Sequence, residues 1–494
     1  MLRCFLFFIS LLLFPFGLNS KTAEEWKTRV IYELVTDRFA RTDHDTAPCH
    51  DLSDYCGGTF KGIEQNLDYI EGLGANAIWI SPIHKTVPKA YHGYGVQNFL
   101  EINPRFGTEQ DLRDLIKACH DRDIWVMVDV VPNHVGYVQD ERHKHEIQNN
   151  DYSEIVPFNK PEYFHEFEIE CHEAEKKFPR DQKLLERCWL EYLPDLNQDH
   201  PFVRQFLLNW IKNLVKTYDI DGLRLDALRH IDKNFWLEFS QAAGVYTVGE
   251  VFDPDINYAA NYQHYVDAVL NAPIQSNFIN SYIYRKTLLH LQEGYKSAMA
   301  LWPTIGLLGN FVENHDFPRF LSNTNNTEIY KAAVANMLSV IGIPILYYGG
   351  EQGFSGGDDP ENREPLWGHM DTNSDIYQFI SRLIKFRKKT EFCKCQQLER
   401  YADDSFYAFT RGYVFFAFSN DNTTAPREMT IHPYREGTVL CSVFNETDCV
   451  QVKDAKFTID LGGQYFKILY AADDNSVEMA DMKKQNNAIQ DIDL

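Results

Sequence analysis

Four short segments each place a carboxylate or a basic partner where a β-like run ends. They read DVVPNH (129–134), GLRLDALRH (222–230), GEVFD (249–253) and FVENHD (311–316). In a (β/α)₈ barrel the C-terminal ends of all the parallel strands converge on one face, and the active site lies there. Carboxylates far apart in sequence can therefore meet around one substrate, and the ordered set predicts this arrangement.

The rest of the pattern agrees with a barrel. Continuous apolar runs separated by stretches of helical spacing indicate parallel strands in a βα series. The strand-like runs are 30–35, 77–83, 124–131, 221–228, 245–252, 307–314 and 343–350, and the helical stretches include 63–72, 111–120 and 202–218. We therefore predict an α/β fold whose core is a (β/α)₈ (TIM) barrel formed by residues 21–134 and 198–394.

Two further regions depart from this alternation. The irregular, His- and Glu-rich stretch 135–197 follows the third strand, and a connection this long predicts a small inserted subdomain over the barrel mouth. Residues 395–472 change to short alternating strands, which predict a C-terminal antiparallel β-sandwich. The end of the chain, 473–494, is polar and acidic, and we expect a disordered tail.

The first twenty residues have the layout of a secretory signal peptide: an early Arg3, an apolar run and a polar end. We predict cleavage near Ser20 and a secreted protein, or one in the lumen of the secretory or lysosomal pathway. An uncleaved anchor is the competing interpretation, although the run is short and interrupted by Pro15. We expect no contact with a membrane once the leader is cleaved.

The cysteines fit an oxidising compartment. Three pairs flank short polar loops and predict local disulfides: Cys49–Cys56, Cys171–Cys188 and Cys441–Cys449. We expect Cys119 to be a buried free thiol. Sequons at Asn325, Asn422 and Asn445 are candidate glycan acceptors.

The charge balance limits the partners. Against 48 basic residues stand 71 acidic ones, for a net charge of −23. That sign argues against nucleic acid and anionic membranes, which attract basic patches, and suits a neutral substrate.

Three carboxylates are the candidate catalytic groups. Arg224 and Asp226 project to the same face of a strand, and we expect the arginine to keep the aspartate ionised. Glu250 follows an apolar run, which predicts the raised pKa of a general acid. Asp316 is placed to stabilise positive charge. The structural alternatives are a rim ion pair, a rim glutamate and a helix N-cap. Together the three groups suit glycosidic cleavage.

The four segments, in this order, resemble the motifs of the α-amylase family of glycoside hydrolases, with secreted fungal-type α-amylases as the nearest group. The likeness includes TDRFART, YCGGTFKGI, LDYIEGLG, AIWISPI, YHGYG, LPDLN, GGDDPENRE and GIPILYYGGEQG, and extends from Trp26 into the C-terminal β-domain. The resemblance implies an enzyme that hydrolyses internal α-1,4 bonds of starch, glycogen and malto-oligosaccharides with retention. We expect a monomer.

The resemblance also implies individual roles. Asp226 would be the nucleophile, Glu250 the general acid/base and Asp316 the transition-state stabiliser. The substrate-binding residues would be Tyr94, His92, His134, Arg224, Arg229, His230, His315, Asp359 and Arg363. A structural Ca²⁺ would lie between the barrel and the insert, held by Asn133, Glu186, Asp195 and His230.

Two departures from the family keep other hypotheses open. Arg229 stands where fungal members usually have lysine, and Gly95 where tryptophan is usual. Both positions affect substrate range, so an α-glucosidase or α-glucanotransferase acting on short malto-oligosaccharides is the alternative. A non-catalytic binding or transporter-associated ectodomain is the alternative from another class. The presence of Asp226, Glu250 and Asp316 argues against it.

Overall fold

The computed structural model describes residues 21–136, 151–167, 170–177 and 180–471. The predicted leader, the acidic tail from 473 and residues 137–150 of the predicted insert lie outside the described residues.

The described part of the chain contains short strands throughout. They are β1 (Ile31–Leu34), β2 (Ala77–Ile80), β3 (His84–Thr86), β4 (Val96–Ile102), β5 (Trp125–Val130), β6 (Gly222–Leu225), β7 (Tyr246–Gly249), β8 (Ala268–Val269), β9 (Gly309–Asn310), β10 (Ile343–Tyr347), β11 (Gln397–Ala402), β12 (Phe406–Arg411), β13 (Val414–Ser419), β14 (Arg427–Met429), β15 (Val439–Ser442), β16 (Cys449–Gln451), β17 (Phe457–Ile459) and β18 (Phe466–Ala471).

Helices separate most of the strands before β11. They are α1 (Ala23–Trp26), α2 (Thr36–Phe39), α3 (Phe60–Gln65), α4 (Leu67–Leu73), α5 (Glu109–His120), α6 (Cys171–Glu175), α7 (Gln182–Leu185), α8 (Pro201–Tyr218), α9 (Lys233–Ala243), α10 (Ile256–Ala260), α11 (Ala272–Phe278), α12 (Leu289–Leu301), α13 (Thr327–Ser339) and α14 (Asp375–Thr390).

Eight of the strands form one parallel sheet in the order β8-β7-β6-β5-β2-β1-β10-β9. A parallel bridge between Leu270 and Gly309 joins the two ends of this sheet. The predicted (β/α)₈ barrel is therefore confirmed. Its strands are buried on both faces because side chains fill the interior and helices cover the outside.

Local chemistry explains where several helices begin. Thr108 and Asp111 form a reciprocal capping box at the start of α5, which satisfies N–H groups that the helix leaves free. Asn326 caps α13 by accepting hydrogen bonds from the backbone N–H groups of Glu328 and Ile329. The last helix, α14, is capped by Ser374.

The sequence pattern was wrong in detail at three places. The stretch 63–72 lies across two helices, α3 and α4, because Asn66 has non-helical backbone angles. The run 307–314 contributes only a two-residue strand, β9, and its remainder turns into the site loop. The strand β8 had no prediction, since two residues are too short to show a pattern.

The C-terminal region is antiparallel, as predicted. A six-stranded sheet has the order β11-β12-β13-β18-β15-β16, and β14 pairs with β17 in a second sheet. A buried cluster that includes Phe406, Phe415 and Phe457 draws on both sheets. Arg411 of β12 donates to the carbonyl oxygens of Ser339 and Val340, which attaches this region to the barrel.

All three predicted cysteine pairs are disulfide-bonded: Cys49–Cys56, Cys171–Cys188 and Cys441–Cys449. Cys119 is a buried free thiol, as predicted. Within the described ranges, no helix combines the length and apolar character that crossing a membrane requires.

Candidate active site

The guanidinium of Arg224 organises the carboxylates at the end of β6. Its Nη1 donates to Asp226 Oδ1 at 2.6 Å and to Asp129 Oδ1 at 3.2 Å, and its Nη2 donates to Glu250 Oε2 at 2.6 Å. Arg224 is fully buried, so these charge-assisted bonds are shielded from water. Asp226 and Glu250 thus bind the two terminal nitrogens of one guanidinium. The two predicted catalytic carboxyl groups are therefore neighbours.

The backbone after β6 turns sharply to allow this contact. Ala227 has a left-handed conformation, with φ of 52°, and its N–H donates to Glu250 Oε2 at 3.2 Å. A non-glycine residue in this region stores conformational energy, which surrounding contacts must offset. The turn therefore places the Ala227 N–H where it donates a hydrogen bond to Glu250, the general-acid candidate.

The pKa shifts of Asp226 and Glu250 differ from the sequence-based predictions, which expected an ionised Asp226 and a raised pKa for Glu250. Burial raises the pKa of Asp226 well above its usual value, and the negative charges of Glu250 and Asp129 add to this. The pKa of Glu250 is also raised by burial, but Arg224 and the Ala227 N–H outweigh burial and lower it. The prediction did not foresee that Arg224 serves both carboxylates. Because the two carboxyls interact this strongly, their titration belongs to the pair and not to either group alone.

Asp316 lies on the same side of the barrel. Its carboxylate is 3.6 Å from Arg363 Nη2 and 3.3 Å from His315 Nε2. Burial and the negative charge of Glu250 raise the pKa of Asp316 to about 6. Asp316 is not a helix N-cap, since the next helical turn begins at Phe320 and its N-cap residue is Arg319.

Tyr94 is fixed beside these groups. Its hydroxyl lies 2.8 Å from Asp129 Oδ2 and 2.7 Å from His315 Nε2. The rings of Tyr94 and His315 are stacked with nearly parallel planes, at an interplanar angle of 4° and with centroids 5.2 Å apart. His92 packs against Tyr94 and accepts a hydrogen bond from the Tyr94 N–H. The predicted stacking of Tyr94 on a sugar stays a prediction, since the ring already packs against the rings of His92 and His315.

Asp359 and Arg363 form an ion pair beside Asp316. Arg363 Nη1 lies 3.1 Å from Asp359 Oδ1, and its Nε donates to the carbonyl oxygen of His315 at 3.0 Å. Tyr91 donates its hydroxyl to Asp359. Arg363 therefore ties the Asp359 loop to the loop that carries Asp316.

His134 and His230 lie together near the end of β5. Burial and the neighbouring His230 lower the pKa of His134 to about 4, so this ring is neutral at pH 7. His134 Nε2 is buried and has no hydrogen-bond partner among the residues that the structure describes. A neutral imidazole with an unpaired nitrogen suits hydrogen bonding to a sugar hydroxyl.

The four metal-ligand candidates do not all converge through their side chains. Asn133 and Asp195 are adjacent, because Leu196 N donates to Asn133 O and His134 bridges to Asp195. The Oδ1 atoms of both are buried without a partner. The Glu186 carboxylate instead accepts a hydrogen bond from Gln182. His230 also lies within 4.8 Å of two sulfurs, Cys171 and Cys188, which their disulfide removes as thiolate ligands.

Arg229 is held by protein groups. Its Nη2 forms an ion pair with Glu175 of α6, and its Nη1 donates to the Phe252 carbonyl oxygen at 3.0 Å. The side chain is 14% exposed. An ion pair thus links Glu175 of the insert to Arg229 of the barrel, the position where fungal members usually have lysine.

Gly95 is a packing position. A Cβ atom there would lie 2.9 Å from the Ala90 Cβ and 3.2 Å from a Val87 methyl group. The same backbone passes close to Gly136, where a Cβ would meet the Gly95 carbonyl oxygen at 2.5 Å. A large side chain at 95 would therefore need the neighbouring backbone to move.

Comparisons with known proteins agree with this geometry. Residues 33–366 match the family model described as the α-amylase catalytic domain.

The chain belongs to the α-amylase family.

An α-amylase of Saccharomycopsis fibuligera is 37% identical over 477 residues, covering 91% of this chain and 94% of the relative. An α-amylase of Schwanniomyces occidentalis is 39% identical over 404 residues, covering 79% of this chain and 77% of the relative. The solved α-amylase structure from Malbranchea cinnamomea superposes with a TM-score of 0.85 at 35% identity, covering 92% of this chain and 98% of the other. The chain is thus a glycoside hydrolase of the α-amylase type.

Sequence reasoning missed two buried carboxylates of this α-amylase site. Asp129 binds Arg224, Tyr94 and the Trp79 indole N–H, yet it received no role although it opens the first motif. Glu33 accepts from His315. Its signal was present, because a charged residue inside the apolar run 30–35 has to find a buried partner.

Proposed function

We propose that this chain hydrolyses internal α-1,4 bonds of starch- and glycogen-type glucans with retention of anomeric configuration, as a secreted protein. The observation that carries the proposal is the single guanidinium of Arg224 bound to both Asp226 and Glu250. Retaining glycosidases keep their carboxyl groups only about 5 to 5.5 Å apart, whereas inverting enzymes leave room for a water. Two carboxyl groups bound to one guanidinium, each at 2.6 Å, fit the close spacing of a retaining enzyme.

The first step uses Glu250 as the acid and Asp226 as the nucleophile. Glu250 gives its proton to the glycosidic oxygen while Asp226 attacks the anomeric carbon and forms a glycosyl ester. The C–O bond to the leaving chain breaks. Before this step Glu250 has to be protonated and Asp226 ionised, which a glycosidic oxygen beside the Glu250 carboxyl would favour.

The second step reverses these roles. Glu250, now a carboxylate, takes a proton from water as the water attacks the anomeric carbon and releases Asp226. Two inversions give net retention. Asp316, with Arg363 and His315, is placed to bind the hydroxyls of the reacting sugar and to stabilise its positive charge.

The donor set near His134 fits a calcium ion. Asn133 Oδ1 and Asp195 Oδ1 are buried oxygens without a partner, and oxygen ligands of mixed charge suit Ca²⁺. We assign Asn133, Asp195 and His230 to this site, with Glu186 as the fourth residue. The Glu186 carboxylate accepts a hydrogen bond from the Gln182 side chain. Bound calcium would fix the insert to the end of β5 and so support His134.

Two features support secretion: three disulfides among the described residues and the signal-like sequence of residues 1–20.

The deciding experiment is a time-resolved product profile on soluble starch and maltoheptaose, with the anomeric form of the product read by proton NMR. We expect a rapid fall in iodine staining, mixed short products and an initial α-anomer. Glu250→Gln is the matched variant: it keeps the shape of the side chain and loses the proton donor, so hydrolysis should stop.

One observation favours a second candidate function. Because Arg229 is held by Glu175, its guanidinium is less available to a long leaving chain. An α-glucanotransferase or α-glucosidase acting on short malto-oligosaccharides would show this restriction. Products longer than maltoheptaose, or glucose alone, would replace the endo-hydrolase proposal with this one.

A further inference from the structure

The segment that pairs with His134 leads directly to an aromatic surface. Asp195 forms an antiparallel bridge with His134, and the His165 N–H donates to the Asp195 carbonyl oxygen at 3.0 Å. Phe164 bridges to Leu196 in the same antiparallel sense. Two segments of the insert, 164–167 and 192–196, therefore lie side by side next to a residue of the candidate active site.

Two partly exposed rings lie on these segments. Phe167 and Tyr192 are each 36% exposed, with ring centroids 6.3 Å apart and planes at 31°. Tyr192 is three residues from Asp195, so the chain places it within about 10 Å of the residue that pairs with His134. Adjacent aromatic rings at the edge of a sugar-cleaving site form a surface on which a pyranose ring can stack.

The surface has a rigid support. Phe167 contacts Trp189 edge to face, with centroids 5.3 Å apart. Trp189 is 2% exposed, and its indole N–H donates to the His165 carbonyl oxygen at 3.0 Å. Phe167 therefore packs on a buried, hydrogen-bonded side chain, which lowers the entropy lost when a ligand binds.

The backbone under this surface is held in an unfavourable conformation. Glu191 and Tyr192, neither of them glycine, have φ values of 51° and 63°. Consecutive left-handed residues cost about 1 to 3 kcal/mol each and persist where surrounding structure enforces them, often at ligand sites. The conformation of this turn sets the directions in which the Glu191 and Tyr192 side chains leave the backbone.

Glu191 connects the aromatic surface to the catalytic groups. Glu191 is solvent-accessible, yet desolvation by its surroundings and the negative charges of Asp316 and Asp359 raise the pKa of its carboxyl, and Arg363 opposes this effect. The Glu191 carboxyl therefore interacts electrostatically with Asp359 and Arg363. It supplies hydrogen-bond acceptors beside the two rings.

We infer that Phe167 and Tyr192 form an aromatic platform that binds a glucose unit of the α-glucan outside the cleavage site, with Glu191 accepting from its hydroxyls. The occupant is the substrate chain itself, because the segment that carries Tyr192 pairs through Asp195 with His134 of the candidate active site. It supplies a stacking surface that Gly95 cannot, since no large side chain fits there. This inference rests on the proposed function and adds the residues that set chain-length preference.

The test measures kcat/KM for maltotriose, maltopentaose and maltoheptaose with Tyr192→Ala, Phe167→Ala and Tyr192→Phe. A stacking contact acts only on chains long enough to reach it. We expect each alanine variant to lose about five- to tenfold on maltoheptaose and less than about twofold on maltotriose. Tyr192→Phe, which keeps the ring, should retain most activity. Tyr284→Ala is the control, because Tyr284 is 62% exposed and lies outside this surface.

The possible outcomes separate the two proposals. Wild-type turnover of maltoheptaose with unchanged alanine variants would overturn the platform alone. Equal losses on all three substrates, with a lower Tm, would assign the rings a structural role and also overturn it. Wild-type protein that leaves maltoheptaose intact would overturn the proposed function and the platform with it.

Discussion

His315 Nδ1 lies 2.7 Å from Oε1 of Glu33, a carboxylate on the first barrel strand that is 2% exposed. The other nitrogen of the ring, Nε2, faces Tyr94 and Asp316. Glu33 therefore holds the imidazole from behind, while the opposite edge meets the catalytic groups. A carboxylate in this position orients the ring and favours its protonated form.

The first prediction is that Glu33→Gln moves the alkaline limb of the pH–activity profile to lower pH. Burial lowers the pKa of His315, and the charges of Arg224 and Arg363 lower it further, whereas Glu33 raises it. Glutamine keeps an acceptor for the Nδ1 proton but loses the charge, so the imidazolium is lost at lower pH. The measurement is kcat/KM on maltoheptaose between pH 4 and 9.

The control for this prediction is Glu351→Gln. Glu351 is a buried carboxylate that accepts from the hydroxyls of Tyr32 and Tyr69, with no contact to His315. Its pH–activity profile should match that of the wild type. An unshifted profile in Glu33→Gln would show that Glu33 only packs against the ring.

The second prediction concerns Arg224→Met, which leaves Asp129, Asp226 and Glu250 without a cation. Uncompensated buried charge should destabilise the fold by about 3 to 5 kcal/mol at pH 7. In the variant the folded-state pKa values of these carboxyls rise above their unfolded values, so the loss is largest at high pH and shrinks as they protonate. The difference in Tm from wild type should narrow from pH 7.5 to pH 5. A constant difference would assign the loss to packing.

Sequence reasoning succeeded where a pattern is local and failed where a contact is not. The barrel and the β-domain follow from apolar runs and their spacing, and Asp226, Glu250 and Asp316 follow from motifs at strand ends. Glu33 and His315 are 282 residues apart, so no spacing rule joins them. The Arg224 contact with Glu250 depends on the turn at Ala227, whose positive φ has no signature in an alanine. The two-residue strand β8 was too short to detect.

The third prediction is that Glu175 and Arg229 are energetically coupled. The pair is only partly exposed, at 32% and 14%, so we expect a coupling of about 1 kcal/mol in a double-mutant cycle with Glu175→Gln and Arg229→Met. Urea denaturation measures it. The matched control is the neighbouring pair Glu173–Lys176, which is 58% and 56% exposed and should show almost none. Equal coupling in both pairs would show that the contact to Arg229 has no special role in fixing the insert.

The fourth prediction is that calcium stabilises the fold through Asn133 and Asp195. A chelator should lower the Tm, and Ca²⁺ should restore it while Mg²⁺ does not, because Mg²⁺ demands a smaller octahedral site. At a free Ca²⁺ concentration about 100 times its Kd, binding contributes about 2.7 kcal/mol. Asp195→Asn keeps the side-chain shape but removes the charge, so its Tm should depend less on calcium. If that variant responds to calcium as fully as the wild type, the ion binds elsewhere, because Asp195 is the buried carboxylate at the assigned site.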